Sequence, residues 1–253
     1  MGLGTGNRGA MAGGSSAVVV STHLDDAVLS CFGIVAGASA VVTVLAGIPF
    51  PGVLGEWDAH TGATDSAIRM HTRRREDESA LLATKARAVH LDLLEAQYTD
   101  AMNIPPTSPD AICRALAVHL RNADSVYAPM GLGHPEHMIV RDAVLTLRPD
   151  ATLYADLPFA FAVDPEVELV NDLTSARQRS ERLLSLSNHA RKLDACDCYR
   201  SQLDGLTALH GSFRTTAGLR TEVLWSLPRP RSTELRTQQP AQALPFPVRS
   251  LPV

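Results

Sequence analysis

The sequence predicts an α/β fold, a Rossmann-like three-layer sandwich with a mainly parallel sheet, and three observations predict it. Short apolar runs rich in β-branched residues recur along the chain, segments of helical spacing separate them, and polar turns follow the runs directly. Strands buried on both faces read as continuous apolar runs, whereas crossover helices keep a period near 3.6 residues. Alternation of the two is the signature of a parallel sheet with helices on both faces.

The first strand is expected over 17–21, where Ala17-Val18-Val19-Val20-Ser21 runs into a polar turn. A helix follows over 26–38 on the spacing of Val28, Leu29, Phe32 and Val35, then a second strand over 40–46, which together form a right-handed βαβ unit. The stretch 47–64, punctuated by Pro49, Pro51, Gly52, Gly55 and Gly62, is expected to be a functional loop holding Trp57 and Asp58. Further helices are expected over 70–85, 110–121 and 137–147, and strands over 88–93, 125–129 and 152–157. The chain then reads as mostly helical up to Gly211, with a last strand over 221–227. Residues 1–16 read as a flexible Gly/Ser-rich lead with Met11 as an alternative start, 17–227 as a single α/β domain, and 228–253 as a Pro-rich irregular tail.

Composition narrows the function. The 253 residues carry 23 Lys and Arg against 27 Asp and Glu, a net charge of -4, and no basic cluster is interleaved with aromatics. That argues against a nucleic-acid binder. The run Arg73-Arg74-Arg75 is followed at once by Glu76-Asp77-Glu78 and reads as a solvated helix turn. Cys31, Cys113, Cys196 and Cys198 are too few and irregular for a disulfide framework and suit a reducing cytoplasm. The apolar stretch 17–47 is interrupted by His23, Asp25 and Asp26, which are costly in a bilayer, so no membrane span is expected.

Two constellations carry chemistry. His23-Leu24-Asp25-Asp26-Ala27 lies where the first strand gives way to a helix, at the carboxyl end of a parallel strand, where such sheets bind ligands. Adjacent carboxylates beside an imidazole repel one another, and a cation relieves the repulsion. The alternative is that Asp25 or Asp26 caps the helix. Gly131-Leu132-Gly133-His134-Pro135-Glu136-His137 occupies the same position after a later strand, with two histidines three apart. One can bind a metal while the other reaches a substrate oxygen. His60, His71, His90, His119, His189 and His210 are read as surface or core residues.

His23-Leu24-Asp25-Asp26 and His134-Pro135-Glu136-His137 resemble the two signature motifs of the zinc-dependent de-N-acetylase family, also called LmbE-like or PIG-L, which usually read His-Pro-Asp-Asp-Glu and His-Pro-Asp-His. Arg73-Arg74-Arg75-Glu76-Asp77, Tyr98-Thr99-Asp100, Tyr154-Ala155-Asp156-Leu157-Pro158 and Tyr199-Arg200-Ser201-Gln202 are similar to further segments of that family, in the same order. The resemblance implies His23, Asp26 and His137 as ligands of Zn2+, or of another divalent metal such as Fe2+. It implies Asp25 as the general base, His134 in its protonated form as the group that stabilises the oxyanion, and Arg73 and Asp100 as substrate-binding residues; for Arg73 the alternative is a helix-surface role. Leu24, Ala27 and Leu132 depart from the family pattern, which leaves the ligand set intact.

The function implied is hydrolysis of an N-acyl, first of all N-acetyl, amide on an amino-sugar-containing small molecule, in secondary metabolism such as antibiotic biosynthesis. The alternatives are an amidase of sugar-linked thiol conjugates and an inactive ligand-binding relative. No second ligand cluster stands out in the sequence, which disfavours a two-metal phosphoesterase.

Overall fold

The strands are β1 (Ala17–Ser21), β2 (Ala40–Thr43), β3 (Arg87–His90), β4 (Ser125–Pro129), β5 (Thr152–Tyr154), β6 (Gln178–Leu183) and β7 (Thr221–Ser226). The helices are α1 (Asp26–Val35), α2 (Glu56–His60), α3 (Ser66–Leu81), α4 (Ala96–Ala101), α5 (Pro109–Leu120), α6 (Pro135–Leu147), α7 (Leu186–Cys196) and α8 (Arg200–His210). These come from a computed structural model that describes residues 16–162, 177–215 and 217–228. Apart from Ser16 and Pro228, the expected lead and tail lie outside the described residues.

All seven strands join one sheet in the order β3-β2-β1-β4-β5-β7-β6. Strands β1 to β5 pair in parallel, and β7 joins antiparallel to both β5 and β6. The expected mainly parallel sandwich is therefore the fold. Side chains alternate across the pleat, so Val19 and Val41 face one layer while Val18, Val20 and Val42 face the other. The first layer packs Val28, Phe32 and Val35 of α1 with Leu203 and Leu206 of α8. The second packs Ile112 and Leu116 of α5 with Val140 and Val144 of α6.

Several elements differ from expectation. Strand β6 occupies a segment read as helical; its six residues are exposed, so it carries no apolar period to distinguish strand from helix. Helix α2 lies inside the expected loop, and α4 is a short helix with no expected counterpart. Helix α3 starts at Ser66 because Asp65 caps it, accepting from the Ile68 N–H at 3.0 Å.

The Arg73–Glu78 run is not a solvated turn. Arg73 is buried and ion-paired with Glu95 at 2.6 Å. Arg74 reaches the Ala46 carbonyl at 2.8 Å, Glu76 accepts from Ser201, and buried Asp77 accepts from the Tyr199 hydroxyl at 2.8 Å and pairs with His90. The run stitches α3 to its neighbours.

Helix α1 is broken at Cys31, whose φ of -141° and ψ of 43° are not helical. The break frees the Gly33 N–H, which donates to both oxygens of Glu222 on β7 at 3.1 and 3.0 Å. Glu222 in turn is paired with Lys192 of α7 at 3.1 Å, both side chains fully buried. All four cysteines are free, as expected.

Candidate active site

The site forms where β1, β4 and β5, neighbours in the sheet, reach their carboxyl ends. After β1 the Ser21 hydroxyl donates to the His23 carbonyl at 2.6 Å and accepts from the Ala27 N–H at 3.1 Å, which fixes the turn. Asp25 stands at the N-cap of α1, yet its side chain caps nothing. Asp26 folds back to accept from the His23 N–H at 2.7 Å. The capping alternative therefore fails for Asp25, whose buried carboxylate is left for other work.

After β4 the chain turns through Gly131 and Gly133, both at positive φ. A Cβ on Gly131 would sit 3.0 Å from the Met138 Cα, so glycine is required there for conformation and for space. The Gly131 and Leu132 N–H groups donate to Asp156 Oδ2 at 2.7 and 3.0 Å. Asp156, just past β5, thus holds the turn that leads to His134, Pro135 and the start of α6.

Three ligand-type atoms meet. His137 Nε2 lies 3.2 Å from Asp26 Oδ2 and 3.2 Å from His23 Nδ1, and His23 Nδ1 lies 3.3 Å from Asp26 Oδ2. The other nitrogen of each ring faces a carboxylate: His137 Nδ1 at 2.9 Å from Asp156, His23 Nε2 at 3.1 Å from Glu136. A carboxylate only accepts, so those nitrogens carry the protons, and two imidazole lone pairs point at the same place as the Asp26 oxygen. A tetrahedral zinc ion with bonds of about 2.0–2.1 Å separates its ligand atoms by about 3.3–3.4 Å. An octahedral ion with bonds of about 2.1 Å would need about 3.0 Å. The observed edges favour the tetrahedral ion, so the residues fit zinc.

Electrostatics tell the same story for the metal-free protein. Burial opposes charge on His137, but Asp26 and Asp156 outweigh it and raise its pKa to about 9. Burial is likewise outweighed at His23, raised by Asp26 and Glu136, and at Asp26, held well below the carboxylate range by His137 and His23. Burial and the Asp26 charge push Asp25 up to about 6. Burial, with the charges on His23 and His137, lowers His134 to about 4, so His134 is neutral at pH 7 rather than protonated as the resemblance implied.

Protons thus occupy the place of a cation, with a consequence for stability. The His137 contribution is fully present below its ordinary value of 6.5 and is lost as pH rises to about 9. Asp25, raised from 3.8, loses its contribution between there and about 6, in the same direction. Depressed Asp26 contributes above its ordinary value of 3.8 and loses this as pH falls, and depressed His134 loses its contribution from 6.5 down to about 4, which offsets Asp25 over that window. Chelator-treated protein is therefore expected to melt highest between about pH 4 and 6 and progressively lower toward pH 9, and zinc to raise the midpoint more at pH 8 than at pH 6. Scanning calorimetry at graded pH checks this; an equal zinc effect at both values would overturn it.

Asp156 and Glu136 were not assigned roles from the sequence. Asp156 stood within a family-like segment with no part assigned to it, and its partners are 19 and 25 residues away. Asp156→Asn is expected to lower zinc affinity about 10–100-fold, because asparagine has one accepting oxygen where Asp156 uses two, and its NH2 must face either the His137 Nδ1–H or the Gly131 and Leu132 N–H groups. Competition against a chromogenic chelator measures this; unchanged affinity would refute the orienting role.

A cavity of about 870 Å³ opens beside the triangle. His23, Asp25, Asp26 and His134 line its floor, Arg73 and Asp100 its side, and Leu54, Trp57, Phe159, Leu206 and Leu209 its mostly apolar wall. Of the expected site residues only His137 lies behind that surface; Asp156 shields it from below. Trp57 donates to Gln202 at 2.7 Å and stacks on His60, with ring centroids 5.5 Å apart. His60 and His210, read from sequence as surface or core residues, also line the cavity, His210 against the Phe159 ring.

No protein-family description matches the sequence, and no curated protein does. Solved structures do match. The A40926 pseudoaglycone deacetylase Dbv21 aligns at a TM-score of 0.67 and 22% identity, covering 86% of this chain and 98% of that one. The chain has that fold. The zinc-inhibited form of teicoplanin deacetylase Orf2 aligns at 0.69 and 22% identity, covering 87% and 100%. The 4-carboxy-2-hydroxymuconate hydratase GalB of Pseudomonas putida KT2440 aligns at 0.52 and 20%, covering 87% and 98%. Deacetylases and a hydratase thus share this architecture, and the reaction must be argued from the site. Among the described residues no helix is long and apolar enough to cross a membrane.

Proposed function

We propose that this chain is a zinc-dependent amide hydrolase that removes an N-acyl group, acetyl first among candidates, from an amino-sugar-bearing small molecule. The observation that carries the reading is the triangle of His23 Nδ1, Asp26 Oδ2 and His137 Nε2, tetrahedral in its spacing and open to a large cavity. The deacetylases that share the fold, one named for the A40926 pseudoaglycone and one for teicoplanin, support an antibiotic-type glycoconjugate as substrate. The cavity volume also exceeds what a monosaccharide fills, which leaves room for an aglycone. Four free cysteines support a cytoplasmic setting.

His23, Asp26 and His137 would hold the ion, which would supply Lewis acidity toward the amide carbonyl and lower the pKa of a water to about 7. Asp25, buried and free of a capping bond, takes the proton of the attacking water and returns it to the leaving nitrogen. His134, neutral by its surroundings, donates a hydrogen bond to the oxyanion of the tetrahedral adduct. Asp100, exposed at the cavity side, accepts from sugar hydroxyls. Arg73 is committed to Glu95 and lines the cavity, near enough to Asp25 to favour the charged base.

The test is amine release from N-acetylglucosamine derivatives of increasing apolar aglycone size. Zinc-loaded protein is expected to turn over, chelation to abolish at least 99% of the rate, and one equivalent of zinc to restore it. Turnover that survives complete metal removal would sink the metal mechanism. Zinc-loaded protein inert on every amide would sink the hydrolase reading.

A further inference from the structure

The chain has two tryptophans in different settings. Trp225 is buried in the core, whereas Trp57 is partly exposed on the wall of the cavity beside the triangle. The Trp57 ring is nonetheless held in place. Its indole N–H donates to the Gln202 amide oxygen at 2.7 Å. That oxygen is itself oriented, because the Gln202 amide nitrogen donates to the Ser201 hydroxyl at 2.9 Å and this hydroxyl donates to Glu76 at 2.6 Å. An indole N–H only donates, so the chain of bonds has a single consistent sense. The rim of the ring lies against Gly205, where a Cβ would sit 3.0 Å from Trp57 Cη2 and 3.3 Å from Cζ2. Gly205 stands inside α8, where glycine weakens a helix, and the close approach of the ring accounts for it.

Helix α8 builds the adjoining wall by its period. Gln202, Gly205, Leu206 and Leu209 stand at i, i+3, i+4 and i+7, which places them on one face. The far end of that face is open: Leu209 is 62% exposed, as is 41% of Leu54 from the loop that carries Trp57, and both line the cavity. Apolar side chains left open beside a fixed indole suit a flat apolar group, and aromatic pairs gain from ring geometry beyond the area they bury.

We propose that Trp57 determines specificity by stacking on an aromatic ring of the substrate's aglycone, with Gln202 and Gly205 as its positioning residues. The inference deepens the proposed function and rests on it for the placement of the sugar. His23, Asp25 and Asp26 lie on the floor of the same cavity, so an amide held there directs the rest of the glycoside along the wall. Because the indole is fixed before the substrate arrives, little ordering opposes the contact. The sequence places Trp57 and Gln202 145 residues apart, so no local spacing joins them.

The probes are the phenyl and methyl β-glycosides of N-acetylglucosamine, assayed with the zinc-loaded full chain. The wild type is expected to favour the phenyl glycoside about tenfold in kcat/KM, through KM. Trp57→Leu keeps an apolar side chain, removes the ring, and is expected to bring the phenyl-to-methyl ratio to about one. Gln202→Met removes the acceptor at similar length and is expected to lower the ratio about threefold; a purely structural Gln202 would lower both substrates alike. Binding is read apart from turnover by tryptophan emission during titration with the deacetylated phenyl glycoside. Trp57→Phe leaves only the buried Trp225, so the emission change expected in the wild type should vanish. A wild type without phenyl preference, or a preference that survives Trp57→Leu, would overturn this inference and leave the hydrolase reading standing. Neither glycoside hydrolysed, with the Trp57-dependent emission change intact, would overturn the hydrolase reading and support the ring site.

Discussion

Asp25→Asn is expected to lower kcat/KM for amide hydrolysis about 10²–10⁴-fold while leaving zinc in place. Asparagine keeps the shape of the side chain and cannot take a proton from water. Asp25 lies outside the triangle of His23, Asp26 and His137, so the change does not remove a ligand. Elemental analysis beside the rate measurement separates the two effects. A variant that loses both metal and rate would make Asp25 part of the metal site rather than the base, and one that keeps its rate would remove it from the mechanism. The pH profile adds a second check: the acid limb of kcat/KM in the wild type, where the base takes up its proton, is expected to disappear from the residual rate of the variant.

Lys192→Met carries the largest expected effect on stability, a loss of about 3–5 kcal/mol in chemical denaturation, because it leaves the Glu222 carboxylate buried without its counter-charge. Surface ion pairs contribute far less, commonly below about 1 kcal/mol. The double variant Lys192→Met with Glu222→Gln is expected to recover most of the loss: glutamine is neutral and its oxygen still accepts from the Gly33 N–H. A single variant as stable as the wild type would mean that Glu222 takes up a proton at little cost when Lys192 is absent. A double variant no better than the single would mean that packing, rather than charge, holds α7 against β7.

What the sequence disclosed follows from where each signal is encoded. The run at Val18, Val19 and Val20 is apolar on both faces because both faces are covered, so the central strands were legible, as were the two turns that follow β1 and β4. The triangle was legible through a family resemblance; the residues alone left a cap and a metal site open for Asp25 and Asp26. Strand β6 was not legible, since an edge strand exposed along its length needs no apolar pattern. Arg73 was misread as part of a solvated turn because its partner Glu95 lies 22 residues on, beyond β3, where no local spacing encodes the pair. Asp156 and Glu136 were quoted within motifs and given no part to play, because the orientation of a ring depends on which strand ends lie side by side, a property of sheet order.

The break in α1 has a temporal consequence. Gly33 and Glu222 are 189 residues apart in sequence, and the Glu222 carboxylate meets the N–H that the break exposes. On the ribosome, the segment bearing His23, Asp25 and Asp26 is made well before the residue that secures the bend of its helix. A chain stopped short of β7 therefore owns every group of the triangle and lacks the anchor for the helix that begins with Asp26.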